Sequence, residues 1–355
     1  MSARLALAGA LAGLALFPLS TFAQTSVVFP PEYERAWGRG SSALLGGNST
    51  RTQLIVANPF AAGTNILGVG FRPTASTVDR ASFTADMEIR ISSTTATPGA
   101  LSSTFANNTG SDEIVIVPRQ TVTIPAMPAN RSTGFFAQVL FPAPFIFATN
   151  SAPNLCVDVL IYGRSAGASW STDRAFASAN GRAANAGLGC GTGTISSTST
   201  GGTYIGGSTI NVTLANAAPL APAWLIPSLD QKEFLPGLPL PFSLAPLGAG
   251  AGCDLLVDLS AGSFGLGTDA AGAAAFSFTM PPGLGRFGIG WQWLYIGTAT
   301  PANPIGFYTT ASRATWIGPE VSVPNVQYVW DLSNVNNATG NATTDSTPIM
   351  EIIRI

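Results

Sequence analysis

Along most of this chain apolar and polar residues alternate with a period near two. Ser82–Ser92 is the cleanest case: Phe83, Ala85, Met87, Ile89 and Ile91 fall on one face, and Thr84, Asp86, Glu88 and Arg90 on the other. A half-buried antiparallel strand requires that pattern. In NLCVDVLIYG, Leu155, Val157, Val159 and Ile161 again share a face. TQLIVAN, ILGVGFRP, EIVIVPR, TVTIPAM, FFAQVLF and FIFATN read as further strands, separated by Pro, Gly and Asn. A second run has the same character, with INVTLAN, AWLIPSL, LPFSLAP, DLLVDLS, AAFSFTMP, GIGWQWLYIG and ATWIG divided by Pro and Gly turns. Within it Ala274, Phe276, Phe278 and Met280 share a face, and TDAAG is the Asp/Gly type of turn that closes hairpins. No helix-period stretch of useful length follows the N-terminus. Short strands at this spacing predict an all-β protein built from two β-sandwich, jelly-roll-like domains.

Between the two runs lies AGLGCGTGTISSTSTGGTYIGGS, residues 186–208. Its Gly, Ser and Thr bury too little apolar area to offset the entropy of ordering, so it is expected to be a hinge. The expected division is residues 24–185 for the first sandwich, 186–208 for the hinge, 209–319 for the second sandwich, and 320–355 for a C-terminal strand pair docked on one of them.

Met1–Ala23 reads as a secretory signal peptide. Arg4 gives the positive start, Leu5–Phe17 the apolar stretch, and Thr21-Phe22-Ala23 the small-x-small cleavage site before Gln24. The apolar stretch is shorter than the ~20 residues a bilayer span needs, and no later segment reaches that length without polar residues or proline. The expected protein is therefore secreted, extracellular or at the cell surface, with no transmembrane segment after cleavage. Prolines and short strands argue against an outer-membrane barrel.

Charged residues make up only 10% of the chain, Lys232 is its one lysine, and the net charge is −2. That balance excludes a nucleic-acid footprint. Of the three cysteines, Cys156 sits in mid-strand, where a small buried thiol is expected. Cys190 and Cys253 lie in the glycine contexts GLGCGTG and GAGCDLL and are the better disulfide pair.

LGVGFRPTAS, ADMEIRISSTTATPGALSSTFANNTGSDE and FIFATNSAPNLCVDVLIYG, spanning about Ser49–Gly163, resemble a β-rich extracellular module of bacterial secreted proteins. That module is common in planctomycetes and also occurs in proteins with PEP-type sorting tails. LPGLPLPFSLAPLGAGAGCDLLVDL and the stretch TDAAGAAAFSFTMPPGLGRFGIGWQWLYIG resemble a second small module of secreted planctomycete proteins. In it one cysteine precedes the first strand and another sits in a GC-x-L strand, as Cys190 and Cys253 do. The resemblance implies no catalytic residues. The chain departs from the sorting-tail pattern by ending in MEIIRI, without an apolar helix or a terminal Arg cluster.

The chain has no histidine. That removes Ser-His-Asp and Cys-His nucleophilic systems, most zinc sites and the usual general base near neutral pH. Carboxylate pairs are what remain: Asp86 with Glu88 on one strand face, and Asp254 with Asp258, each also readable as a solvated polar face. Thr109–Glu113 with Asn107 and Asn108 offers oxygen ligands but no recognised calcium spacing, so it is read as a turn. Asp158 shares a face with Cys156, Leu160 and Tyr162, which predicts a buried carboxylate with a structural partner. Trp291, Trp293 and Tyr295 share a strand face, the arrangement with which sugar-binding surfaces meet pyranose rings; the competing reading is aromatic core. The Asn-x-Ser/Thr triplets are expected by chance in a chain this rich in Asn and Thr.

These observations favour a non-enzymatic structural, adhesive or cell-envelope-associated protein, without catalytic residues, metal or cofactor. The expected partners are glycans or other envelope proteins. A carbohydrate-binding protein using exposed Trp and Tyr is the second reading, and a carboxylate-pair glycan hydrolase the third.

Overall fold

A computed structural model describes residues 24–38, 40–131, 133–148, 152–165, 171–176, 180–318, 326–343 and 346–355. Met1–Ala23, the expected signal peptide, lies outside the described residues. Among these, the protein is almost entirely antiparallel β-sheet of sandwich type, and helix is limited to 3-10 turns of three or four residues. Among the described residues no helix is long and apolar enough to cross a membrane.

The strand read most clearly from its pattern is present as Phe83–Thr94. Phe83, Ala85, Met87, Ile89 and Ile91 are buried, and Thr84, Asp86, Glu88 and Arg90 face away. It pairs with Asn154–Arg164 and Ile114–Ile124 in a six-stranded sheet. The order of that sheet is Asn341–Thr343, Val326–Asp331, Thr50–Val56, Asn154–Arg164, Phe83–Thr94, Ile114–Ile124. A four-stranded sheet shares its core, in the order Thr25–Phe29, Met350–Arg354, Asn65–Phe71, Ala137–Ile146.

Within the C-terminal segment Val326–Asp331 pairs with Asn341–Thr343, and the segment docks on the first sandwich. Val326–Asp331 pairs with Thr50–Val56 in one sheet. Met350–Arg354 lies between Thr25–Phe29 and Asn65–Phe71 in the other. Both ends of the described chain thus complete the first sandwich. The reason is hydrophobic: Met350 and Ile352 point into the core beside Val69 and Phe71, and no edge position would bury them as fully.

A second pair of sheets carries its own core. One runs Arg182–Ala186, Ser312–Ile317, Phe287–Ile296, Pro222–Ser228, Phe264–Gly267; the other Thr194–Ser199, Thr209–Ala215, Ala274–Thr279. Two expectations need correction here. Residues 182–185, placed in the first unit, and Ala186, placed in the hinge, pair with Ser312–Ile317 in the second. The expected hinge contains a paired strand, Thr194–Ser199, held along Thr209–Ala215 from Thr194 opposite Ala215 to Ser199 opposite Ile210. Ile195 and Ser197 turn inward while Thr194, Ser196 and Thr198 face out. One buried isoleucine and a full ladder of backbone hydrogen bonds suffice to order a segment whose composition alone reads as coil.

Loops from 229 to 260 cover the opposite face of the larger sheet, burying Leu244, Cys253, Leu255 and Val257 against Ile226 and Leu294. Gln292, fully buried, pins them: its Nε2 donates to the carbonyls of Asp254 and Thr310, and its Oε1 accepts the Leu256 amide. The two sandwiches meet through Tyr33, whose ring stacks on Trp316 at 4.2 Å between centroids.

Candidate functional site

Trp291, Trp293 and Tyr295 do share one face of Phe287–Ile296, but that face is the inner one. They are 2%, 0% and 2% exposed, packed against Ile195, Ile210, Val212 and Leu214. Tyr295 stacks on Tyr308, and its hydroxyl accepts the Gly193 amide at 2.8 Å. Trp291 and Tyr295 each border an open cavity, of about 200 and 530 Å³, but with so little of either ring exposed neither offers a face on which a sugar could stack. The strand Thr194–Ser199, which helps close the opposite sheet over them, is the one that composition read as hinge. Trp37 and Trp316 are buried as well. Trp330 is only half-buried and lines an open cavity with Tyr328, Arg174, Ser42 and Thr52.

Cys190 and Cys253 are joined in a disulfide with Cα atoms 4.8 Å apart, inside the range that such a bridge requires. Cys156 is a buried free thiol, and burial pushes its pKa well up, which makes it unreactive. The bridge ties the approach to Thr194–Ser199 to the covering loops.

Asp86 and Glu88 lie on one face but take separate partners. Arg119 grips Asp86 with Nη2 at 2.7 Å and Nε at 3.1 Å, holding that carboxyl below its usual range. Glu88 accepts Arg90 Nε at 2.6 Å. Asp158 is buried and accepts Arg51 Nη2 at 2.6 Å and Nε at 3.1 Å. Desolvation by burial still pushes its pKa up, against the pull of Arg51. Arg51 in turn lies over the Phe105 ring at 4.3 Å, so the turn-rich loop after Thr94 seals the pair. Asp254 accepts Asn130 Nδ2 at 2.7 Å. In the loop considered for calcium, Asp112 accepts the Ser93 amide and Asn108 closes on Ser102. Among the described residues no group of three or more His, Cys, Asp or Glu is placed to hold a metal.

The carboxylates that share a cavity are ones the sequence pattern did not single out together. Asp230, Glu233 and Asp258 line a cleft of about 360 Å³ with Arg35, Phe234 and Ser260. Asp230 pairs with Arg35 and accepts the amides of Lys232 and Glu233 at 2.8 and 3.0 Å. Asp258 accepts Ser228 Oγ and the Ser260 amide. Each of these two aspartates holds a turn in shape, a structural task.

A second polar feature escaped the sequence pattern. Arg72 and Asp173 are both fully buried and joined at 2.9 Å. Arg72 Nη1 and Nη2 donate to the carbonyls of Thr133 and Ala36 at 2.8 and 2.7 Å. Asp173 also accepts the amides of Gly38 and Arg174 at 2.8 and 3.0 Å. Burial lowers the Arg72 pKa and raises that of Asp173, their mutual attraction opposing both. The knot joins four segments far apart in sequence.

No family model matches the chain, and no curated protein matches it. Among solved structures, a chain of the T13 IBDV viral particle is 12% identical, with 90% of this chain and 80% of that one covered and a TM-score of 0.17. A chain of the T=1 Penaeus vannamei nodavirus is 9% identical, covering 80% and 90%, with a TM-score of 0.14. At TM-scores this low the likenesses carry no argument.

Proposed function

We propose that this chain is an exported, non-enzymatic protein with a structural, adhesive or cell-envelope-associated role. The observation that carries the reading is the engagement of its candidate carboxylates: Asp86 by Arg119, Glu88 by Arg90, Asp158 by Arg51, and Asp230 by Arg35 and two backbone amides. A general acid or base needs an oxygen free to meet substrate, and these are committed to holding the fold. The Cys190–Cys253 bridge supports export, because structural disulfides persist in oxidising compartments. The outer face of the sheet built from Thr194–Ser199, Thr209–Ala215 and Ala274–Thr279 supports a packing role. There Ser196 bonds Thr213, Asn211 bonds Ser277 and Thr209 bonds Thr279, a neutral polar ladder that repels no neighbour. Carbohydrate binding is the second reading, favoured by half-buried Trp330 in its cavity rather than by Trp291, Trp293 and Tyr295.

The test is expression with the native leader, followed by cell fractionation, intact-mass analysis and non-reducing peptide mapping. The reading expects a chain starting at Gln24 in the exported or envelope fraction, with Cys190 bridged to Cys253. Retention in the cytoplasm with Met1 present and all three thiols free would overturn it.

A further inference from the structure

Four tryptophans, Trp37, Trp291, Trp293 and Trp316, are buried, whereas Trp224 and Trp330 are half-buried. Of these two, Trp330 lines a cavity of about 190 Å³ where Val326–Asp331 meets the small sheet of Gly40–Ser42, Thr172–Phe176 and Ser346–Pro348. That volume is on the order of six waters, enough for one sugar-sized ring. The lining is mixed in a particular way. Trp330 supplies aromatic surface with the buried Tyr328 ring beside it, Ser42 and Ser171 supply hydroxyls in front of buried Thr52, and Arg174 supplies a positive charge. Among the described residues no carboxylate lines the cavity. Arg174 is held in place by a hydrogen bond from Nη2 to Ser346 Oγ and by the Tyr328 ring, 5.8 Å from its Cζ. A pre-positioned guanidinium loses less freedom on meeting an anion than a free surface arginine would.

Aromatic surface suits the C–H face of a pyranose, the hydroxyls suit its ring substituents, and a guanidinium suits a carboxylate with which it can form paired hydrogen bonds. We propose that this cavity binds a uronic-acid residue of an acidic polysaccharide. Trp330 lies against the ring, the hydroxyls of Ser42 and Ser171 meet its oxygens, and Arg174 meets its carboxylate. This deepens the adhesive limb of the function proposed above. Its failure would leave the export and disulfide test untouched.

The test is affinity electrophoresis of the full chain through gels containing polygalacturonate or, separately, a neutral galactan. The expected result is retardation by polygalacturonate that weakens with added salt, since the carboxylate–guanidinium attraction is screened. Trp330→Ala should weaken retardation about tenfold or more, as truncation of an anchoring aromatic does. Arg174→Gln should erase the preference for the acidic polymer. Circular dichroism checks that each variant is folded; if Arg174→Gln is not, the salt dependence of the unaltered protein decides the role of charge. The proposal is overturned by absence of retardation, by equal or stronger retardation in the neutral gel, by salt-independent retardation, or by a folded Trp330→Ala that binds like the parent.

Discussion

Loss of one member of the Arg72–Asp173 pair should be among the most destabilising single changes in the first sandwich. Both side chains are fully buried, and the pair's hydrogen bonds reach Ala36, Gly38, Thr133 and Arg174. Arg72 also lies between the Trp37 and Phe135 rings, at 5.4 and 5.3 Å. Asp173→Asn leaves the guanidinium buried without a counter-charge, and its amide NH2 must oppose either the Arg174 amide or the Arg72 and Gly38 donors that share Asp173 Oδ2. Breaking a buried pair in this way costs about 3–5 kcal/mol. Arg72→Met leaves a carboxylate instead, at a similar cost near neutral pH, but this one can be relieved. Burial already raises the Asp173 pKa, and removing Arg72 takes away the influence that lowers it. A folded pKa above the unfolded value of about 3.9 gives stability that is full below the unfolded value and lost as pH rises through the folded one. Arg72→Met should therefore regain stability relative to the parent as pH falls from 7 towards 4. Asp173→Asn should not, because the guanidinium keeps its proton. The double variant Arg72→Met/Asp173→Leu should cost less than the sum of the singles. Urea unfolding followed by tryptophan fluorescence at pH 7 and pH 4.5 measures all of this. A cost below about 1 kcal/mol for Asp173→Asn, or the same pH response in both single variants, would refute the reasoning.

Three further outcomes follow from the same structure. Replacing Cys190 and Cys253 with serine removes a bridge across 63 residues and should cost about 4 kcal/mol on the chain-entropy model, read as a lower urea midpoint with the sheet spectrum retained. Asp331 accepts the Ser333 hydroxyl, the Asn337 side chain and the amides of Ser333 and Asn334, and these bonds hold its pKa far below the usual range. Its stabilisation is thus present above the unfolded value and lost as pH falls, so Asp331→Asn should cost about 1–3 kcal/mol at pH 7, with a smaller gap from the parent in stability curves taken near pH 3. Amides of Thr194–Ser199 that bond Thr209–Ala215 should exchange slowly by mass spectrometry; exchange at the coil rate would return this segment to a hinge.

How far these features could be read in advance depends on their range along the chain. Phe83–Thr94 and Asn154–Arg164 were legible because a long strand with one buried face writes its period into the residues. Cys190 and Cys253 were legible because each sits among glycines in loops. The aromatic row was legible as a row but not in its direction: a strand's two faces look alike until the layer that covers one of them is known, and here that layer includes a strand of Ser and Thr with one isoleucine. Nothing local announces that Met350 will lie opposite Phe71, or that Arg72 will meet Asp173 across 101 residues. Such pairings are decided by which edges and charges remain unsatisfied once the stronger local strands have formed. The cavity at Trp330 was hidden for the same reason, since its lining comes from four separated stretches of chain.

The central claim, that the carboxylates of this protein serve structure and not turnover, is tested most directly by hydrolysis assays. Purified protein, the variant Asp86→Asn/Glu88→Gln and the variant Asp230→Asn/Glu233→Gln/Asp258→Asn would be incubated with a panel of neutral and acidic polysaccharides, and reducing ends measured over time. The account predicts no release above the buffer rate for any of the three. Release by the parent protein that disappears in either folded variant would contradict it.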